Sequence, residues 1–215
     1  EADILVGNNK KKDIAQILEE YFAAKEPEQE VPVVSEVIDI NHTKEYEDLI
    51  IHKVNEHTRA YIKIQDGCNQ FCSYCIIPYT RGRIRSKNPE EVIEEVKNLA
   101  AQGYKEIVLT GIHLSSYGKD LGTVNLLDVI KRIQQIEDVE RIRLGSLEPR
   151  IITEEFVKEL VKCDKVCPHF HLSLQSGCDQ TLKRMNRKYT TEEYEEALNI
   201  LRKYYEHPAL TTDVI

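Results

Sequence analysis

From position 60 onward the chain alternates two hydrophobic rhythms. Short runs rich in Ile, Val and Leu, namely Ala60 to Gln65, Glu106 to Thr110, Arg141 to Leu144 and Phe170 to Leu174, have the length and residue types of strands. Between them, apolar residues recur every three or four positions: Val92, Val96 and Leu99, then within Leu126 to Ile136, Glu154 to Val161 and Glu192 to Tyr204. That interval places side chains on one helical face, so it predicts amphipathic helices. Asn88-Pro89-Glu90-Glu91 supplies an N-cap, a proline in the first turn and the glutamate of a capping box, while Gly103 ends the same helix and Thr153 caps another. Thr211 to Ile215 predicts a fifth strand.

Strands joined through helices of this length pair in parallel with right-handed crossovers, because a parallel neighbour requires the chain to return to its starting end. The fold class is therefore α/β, a parallel barrel or open barrel over 59–215. Before it, Ile4-Leu5-Val6-Gly7 reads as a strand, and Asn8 or Asn9 caps a helix carrying Ile14, Ile17, Leu18 and Tyr21. One strand and one helix cannot bury each other, so 1–24 is expected to be the end of an upstream α/β domain. Residues 25–58, with Pro27 and Pro32 among polar neighbours, read as a linker and an extended segment.

Barrel chemistry gathers at the carboxyl ends of the strands. Four loops of distinctive composition fall there: Gly67 to Cys75, Thr110 to His113, Gly145 to Pro149, and Gln175 to Gly177. The first places Cys68, Cys72 and Cys75 within eight residues. Three thiolates can hold three irons of a [4Fe-4S] cube and leave the fourth iron open. Zinc remains the alternative, giving a non-catalytic zinc-binding module, but it wants a fourth ligand and no His or Cys follows at finger-like spacing. Cys163 and Cys167 repeat the first interval at the opposite end of the strands and read as ordinary thiols. Cys178 lies nearer the mouth.

Charge limits the partners. With 37 acidic against 29 basic residues the net charge is −8, so any nucleic acid must bind a local patch. Arg81, Arg83 and Arg85, with Lys87 beyond, form one such row, and Lys183, Arg184, Arg187 and Lys188 a second; a solvated face is the competing reading. No run reaches the roughly 18 apolar residues of a membrane helix, and the cysteine usage fits a reducing compartment. A cytoplasmic protein without a membrane partner is expected.

CxxxCxxC with Tyr74 immediately before its last cysteine resembles the signature of radical S-adenosylmethionine (SAM) enzymes. YIKIQDGCNQFCSYCIIPYTRGRIRSK, VLTGIHLSSYG, RIRLGSLEP and HFHLSLQSGCDQTLKRMNRKYT resemble the loops of the methylthiotransferase branch of that superfamily. Within the branch, TGIHLSSYG and HFHLSLQSGCD look most like the tRNA enzymes acting on N6-threonylcarbamoyladenosine beside the anticodon. A related branch member modifies a ribosomal-protein aspartate, and that substrate stays open. The resemblance implies an incomplete radical SAM (β/α) barrel, truncated near its fifth strand. It further implies a [4Fe-4S] cluster on Cys68, Cys72 and Cys75, bound SAM, an electron donor, and a radical that abstracts hydrogen from the adenine ring. In the family, a second [4Fe-4S] cluster sits in the N-terminal domain and an RNA-binding domain follows the barrel; neither is expected in this chain, so it should lack the full reaction. Tyr74, Gly111, Ser146, Glu148, Ser173, Gln175 and Arg187 are the candidate SAM contacts, Arg81, Arg83 and Arg85 the candidate nucleic-acid contacts, and His113 is read as structural or substrate-side.

Overall fold

The structure, a computed structural model, describes residues 2–24, 33–49 and 58–215. The expected linker prolines, Pro27 and Pro32, and the stretch 50–57 lie outside the described residues. A small unit comes first: β1 (Ile4–Val6), α1 (Ile14–Ala24) and β2 (Val34–Glu36), with β2 parallel to β1. β2 falls in the part of 25–58 read as extended and adds a strand to the same unit. Ile17 and Tyr21 are buried, as the helical spacing predicts.

The core opens with β3 (Arg59–Asp66), followed by α2 (Ile77–Thr80), β4 (Arg85–Ser86), α3 (Pro89–Ala101), β5 (Glu106–Gly111), α4 (Leu126–Ile133) and β6 (Arg141–Leu144). After these come α5 (Glu154–Leu160), β7 (His169–His171), α6 (Asp179–Arg184), α7 (Thr191–Tyr204) and β8 (Ala209–Thr211). Sheet order is β4-β3-β5-β6, with β3, β5 and β6 parallel and β4 antiparallel to the end of β3. β7 pairs in parallel with β8, and single parallel bridges such as Leu147 to Leu172 join the two sheets into one curled array. This is the open barrel that the alternation predicts, incomplete as the resemblance implies.

Register explains the core. Ala60, Ile107 and Ile142 stand abreast, as do Ile62, Leu109 and Leu144, all turned toward Val92, Val96, Ile130 and Ile133 of the covering helices. Truncating one of these isoleucines costs about 2–5 kcal/mol, because the cavity cannot close. The opposite face is polar: Glu106 receives Arg141 at 3.1 Å and Arg143 at 2.9 Å, with Arg59 at 3.6 Å.

Several boundaries differ from the periodic reading. α4 stops at Ile133 rather than Ile136, since the chain closes there with a Gln134 N–H bond to Ile130 O and a turn. β7 ends at His171, where the Thr212 hydroxyl takes over the ladder by donating to Leu172 O and accepting from Leu174 N. β8 begins at Ala209, two residues before the expected Thr211. α2, β4 and α6, too short for a periodic signal, are additions.

Candidate metal centre and its cleft

β3 delivers the cysteine loop. Asp66, 4% exposed at its side chain, accepts from Gly67 N at 2.8 Å and from Lys63 Nζ at 3.0 Å, with Arg81 and Arg85 close by. Burial alone would raise this carboxyl, but Lys63, the Gly67 N–H and Arg81 together hold it below the usual carboxylate range. Gly67 turns the chain at φ +70°, and a Cβ there would meet Arg83 O at 1.8 Å, so only glycine brings the loop this close to β4. Asn186 fastens the far side, donating to Phe71 O at 2.7 Å, while Ser73 N–H bonds Met185 O and its hydroxyl bonds Arg184 O. The loop is held from both flanks.

Cys68, Cys72 and Cys75 line one cleft of about 160 Å³ together with Gln70, Tyr74, Ile112, His113, Ser146, Glu148, Ser173 and Arg187. The ends of β3, β5, β6 and β7 therefore meet at one mouth. Burial pushes the Cys68 thiol up, against the pull of the Gln70 N–H at 3.4 Å. Arg187 Nη1 donates to Cys72 Sγ at 3.3 Å. Among the described residues no three His, Cys, Asp or Glu side chains gather tightly enough to share one ion. A cube takes each thiolate on a separate iron, whereas zinc takes all its ligands on one atom, and the three thiols of this cleft match the three cysteine-held irons of a cube with one iron left open.

The remaining candidates divide. Tyr74 is half exposed and donates its hydroxyl to Gln175 Oε1 at 2.8 Å, which brings both to the rim. Ser146 is open to the cleft and Ser173 half-buried beside it. Glu148 pairs with Arg150 at 2.5 Å, and its backbone N–H bonds the Ser115 hydroxyl, so its carboxylate is partly committed. Gly111 stands outside the lining: a Cβ there would meet the Gln65 side chain at 2.9 Å, so its small size serves packing against β3.

Gln65 is a residue that pattern alone does not single out. Fully buried, it donates to Asp66 O and Gly67 O, both at 2.7 Å, and accepts from His113 N at 2.6 Å, tying the first two loops together. In RAYIKIQD it continues the side of the alternation that already carries Arg59 and Lys63, so local pattern gives no signal of its burial. His113 Nδ1 meets the Ser116 hydroxyl at 2.7 Å, its Nε2 is buried without a partner among the described residues, and burial, with Lys119 and Arg187 nearby, lowers its pKa to about 4. His113 is therefore a neutral imidazole in the cleft wall.

The basic row is corrected in part. Arg85 is 1% exposed, donates to Arg83 O and lies 3.9 Å from Asp66; it braces the loop and offers nothing to a phosphate. Lys87 is likewise buried, bonded to Asp48 and Glu95, both at 2.6 Å. Arg83 is exposed and stacked over Phe71 at 4.6 Å, and Arg81 is partly exposed. Of the second patch, Lys183, Arg184 and Lys188 are exposed while Arg187 turns inward.

The model of the Radical SAM superfamily matches residues 62–215. The chain is 41% identical over 215 residues to the threonylcarbamoyladenosine tRNA methylthiotransferase MtaB of Aquifex aeolicus, covering all of this chain and 51% of that protein. It is 42% identical over 177 residues to the tRNA-2-methylthio-N(6)-dimethylallyladenosine synthase of Clostridium botulinum, covering 80% of this chain and 39% of that one. The chain thus spans about half the length, or less, of these relatives. Among solved structures, the cobalamin-dependent S-adenosylmethionine radical enzyme OxsB superposes with a TM-score of 0.64 at 15% identity, over 97% of this chain and 32% of that one. The radical S-adenosylmethionine methyltransferase TsrM from Kitasatospora setae gives 0.56 at 20% identity, over 72% and 30%. At such identities the likeness is one of fold.

Proposed function

This chain belongs to the radical SAM superfamily, and from that premise we propose that it is the cluster-bearing barrel of a tRNA methylthiotransferase acting on threonylcarbamoyl-modified adenosine beside the anticodon. The observation that carries the reading is the single cleft shared by three thiols and the polar rims of three further strand ends. The tRNA-modifying relatives support the substrate class, and the whole-chain match supports the threonylcarbamoyl nucleoside over the dimethylallyl one.

Cys68, Cys72 and Cys75 would hold a [4Fe-4S] cluster, leaving one iron for SAM. When bound, the cluster and SAM supply a radical able to open an unreactive C–H bond, given one electron from a donor protein. The chain's own residues bind and orient. Tyr74, positioned by Gln175, presents an aromatic face and Ser146 and Ser173 present hydroxyls, while Ile112 and Leu147 keep the floor apolar. Glu148 keeps one carboxylate oxygen beyond its Arg150 bond for a ribose hydroxyl or an amine. Arg81 and Arg83 remain at the rim for phosphates. Among the described residues no helix is long and apolar enough to cross a membrane; a tRNA substrate supports a cytoplasmic place of action.

Nucleoside analysis of tRNA from cells lacking the protein tests the reading. Loss of the methylthio group from threonylcarbamoyladenosine alone is expected. Its loss from dimethylallyladenosine instead would move the substrate, and intact tRNA with an unmodified ribosomal-protein aspartate would overturn RNA as the target. Reconstituted protein holding zinc and no sulfide would overturn the cluster.

A further inference from the structure

Arg187 is a half-buried cation with no carboxylate within ion-pair distance among the described residues; Glu148, which lines the same cleft, turns one carboxylate oxygen to Arg150 instead. A guanidinium drawn out of water without an anion is costly, so the surroundings must supply one. Its Nη1 points at Cys72 Sγ, 3.3 Å away, and its Nε donates to the Tyr189 hydroxyl at 3.0 Å. The Tyr189 ring lies beneath the guanidinium at 5.1 Å, and its hydroxyl is fixed by Ser173 O and Leu174 O. The segment bearing Arg187 is strapped to the cysteine loop through Asn186 and Met185. Such a group cannot swing freely between partners.

We propose that Arg187 is a positioning residue that sets the reduction potential of the cluster through Cys72, rather than serving chiefly as a SAM contact. This rests on the cluster reading above. One-electron reduction adds a negative charge to the cluster and breaks no bond. A fixed positive charge hydrogen-bonded to one ligand sulfur stabilises the reduced form more than the oxidised form and raises the potential. The donor set makes the effect one-sided, since only Cys72 among the three thiols receives the guanidinium. Tyr189 serves the same end by aiming it.

The test uses this chain, reconstituted with iron and sulfide and titrated with dithionite without SAM, the reduced cluster being followed by electron paramagnetic resonance. Iron and sulfide content of the unaltered chain tests the cluster itself, independently of Arg187. Arg187→Met should keep its iron yet show at least tenfold less reduced cluster at the same poise, a midpoint lower by about 59 mV. Arg187→Lys should recover part of the loss, and Tyr189→Phe should show a smaller fall in the same direction. If Arg187→Met fails to retain iron, the other two variants decide. Midpoints unchanged in every iron-loaded variant would overturn the proposal, and SAM affinity lost alongside them would return Arg187 to the SAM site.

Discussion

Cys68 and Cys72 stand at the carboxyl ends of the strands, Cys163 and Cys167 at the opposite end, and both pairs are separated by three residues. At the mouth, the first pair joins Cys75 in one cleft beside an arginine that no carboxylate neutralises among the described residues. At the other end, Cys163 is buried with only a long contact from its thiol to Glu159 O, and Cys167 sits against an arginine cluster whose charge Glu106 already absorbs. Burial pushes both of these thiols up. Equal spacing therefore produces unequal surroundings: at the mouth three thiols share one cleft with an arginine that has no carboxylate partner among the described residues, while at the other end the arginines already meet Glu106. Parallel strands enforce this division, because every loop after a strand opens on the same side.

The sharpest break of the comparison is cysteine removal. Cys72→Ala should abolish a stable cluster, whereas Cys163→Ala should leave iron and sulfide content unchanged; colorimetric iron and sulfide assays of both variants decide it. Iron retained in Cys72→Ala would erase the distinction between the ends.

Next come the two carboxylates that anchor those ends. Asp66→Asn leaves the buried Arg85 without its anion and should lower unfolding free energy by about 3 kcal/mol in urea and impair iron uptake, whereas Glu106→Gln frees arginines that water still reaches and should cost about 1 kcal/mol with iron uptake unchanged. Burial works to raise Glu106 too, but Arg143 and Arg141 bring it below the usual range. Both groups have folded pKa values below their ordinary ones. Their stabilisation is therefore complete above the usual carboxylate range and disappears as pH falls through the lowered folded values. A denaturation series below about pH 4 should show the decline in the unaltered chain and its weakening in each variant.

His113 gives a smaller effect at a different pH. Folded near 4 and unfolded near 6.5, it favours the neutral native form. As pH falls from 7 to 5 the unfolded chain gains the proton first, so stability should drop by about 2 kcal/mol. An iron-free sample of His113→Ala should lose most of that dependence; an unchanged slope would assign it to another group.

The smallest expected change lies at the rim. Replacing Arg81 and Arg83 together by Ala should flatten the logarithmic salt dependence of tRNA binding by about 0.7 for each phosphate no longer neutralised. Arg85→Ala should instead behave as a stability variant, with lowered urea resistance and an unchanged salt slope. Equal salt slopes for all would return the row to a solvated face.

The sequence by itself determined the alternation of strands and helices, the parallel array, the position of the cysteine loop at a strand end and the convergence of four loops. These are properties of neighbouring residues: period, caps and spacing act within a dozen positions, and parallel topology follows from connection length. Only the tertiary structure decided where each polar side chain is used. Arg85 and Lys87 look like surface cations in a row, but Lys87 is taken by Asp48 and Glu95 and Arg85 turns to Asp66. Gly111 looks like a cofactor glycine until Gln65 is found against it. Arg187 meets Cys72 from 115 positions away. Charge and hydrogen-bonding partners are set by folding distance, which local pattern does not encode, and desolvation then decides whether a lysine or arginine is a brace, a binding group or a neighbour of the metal.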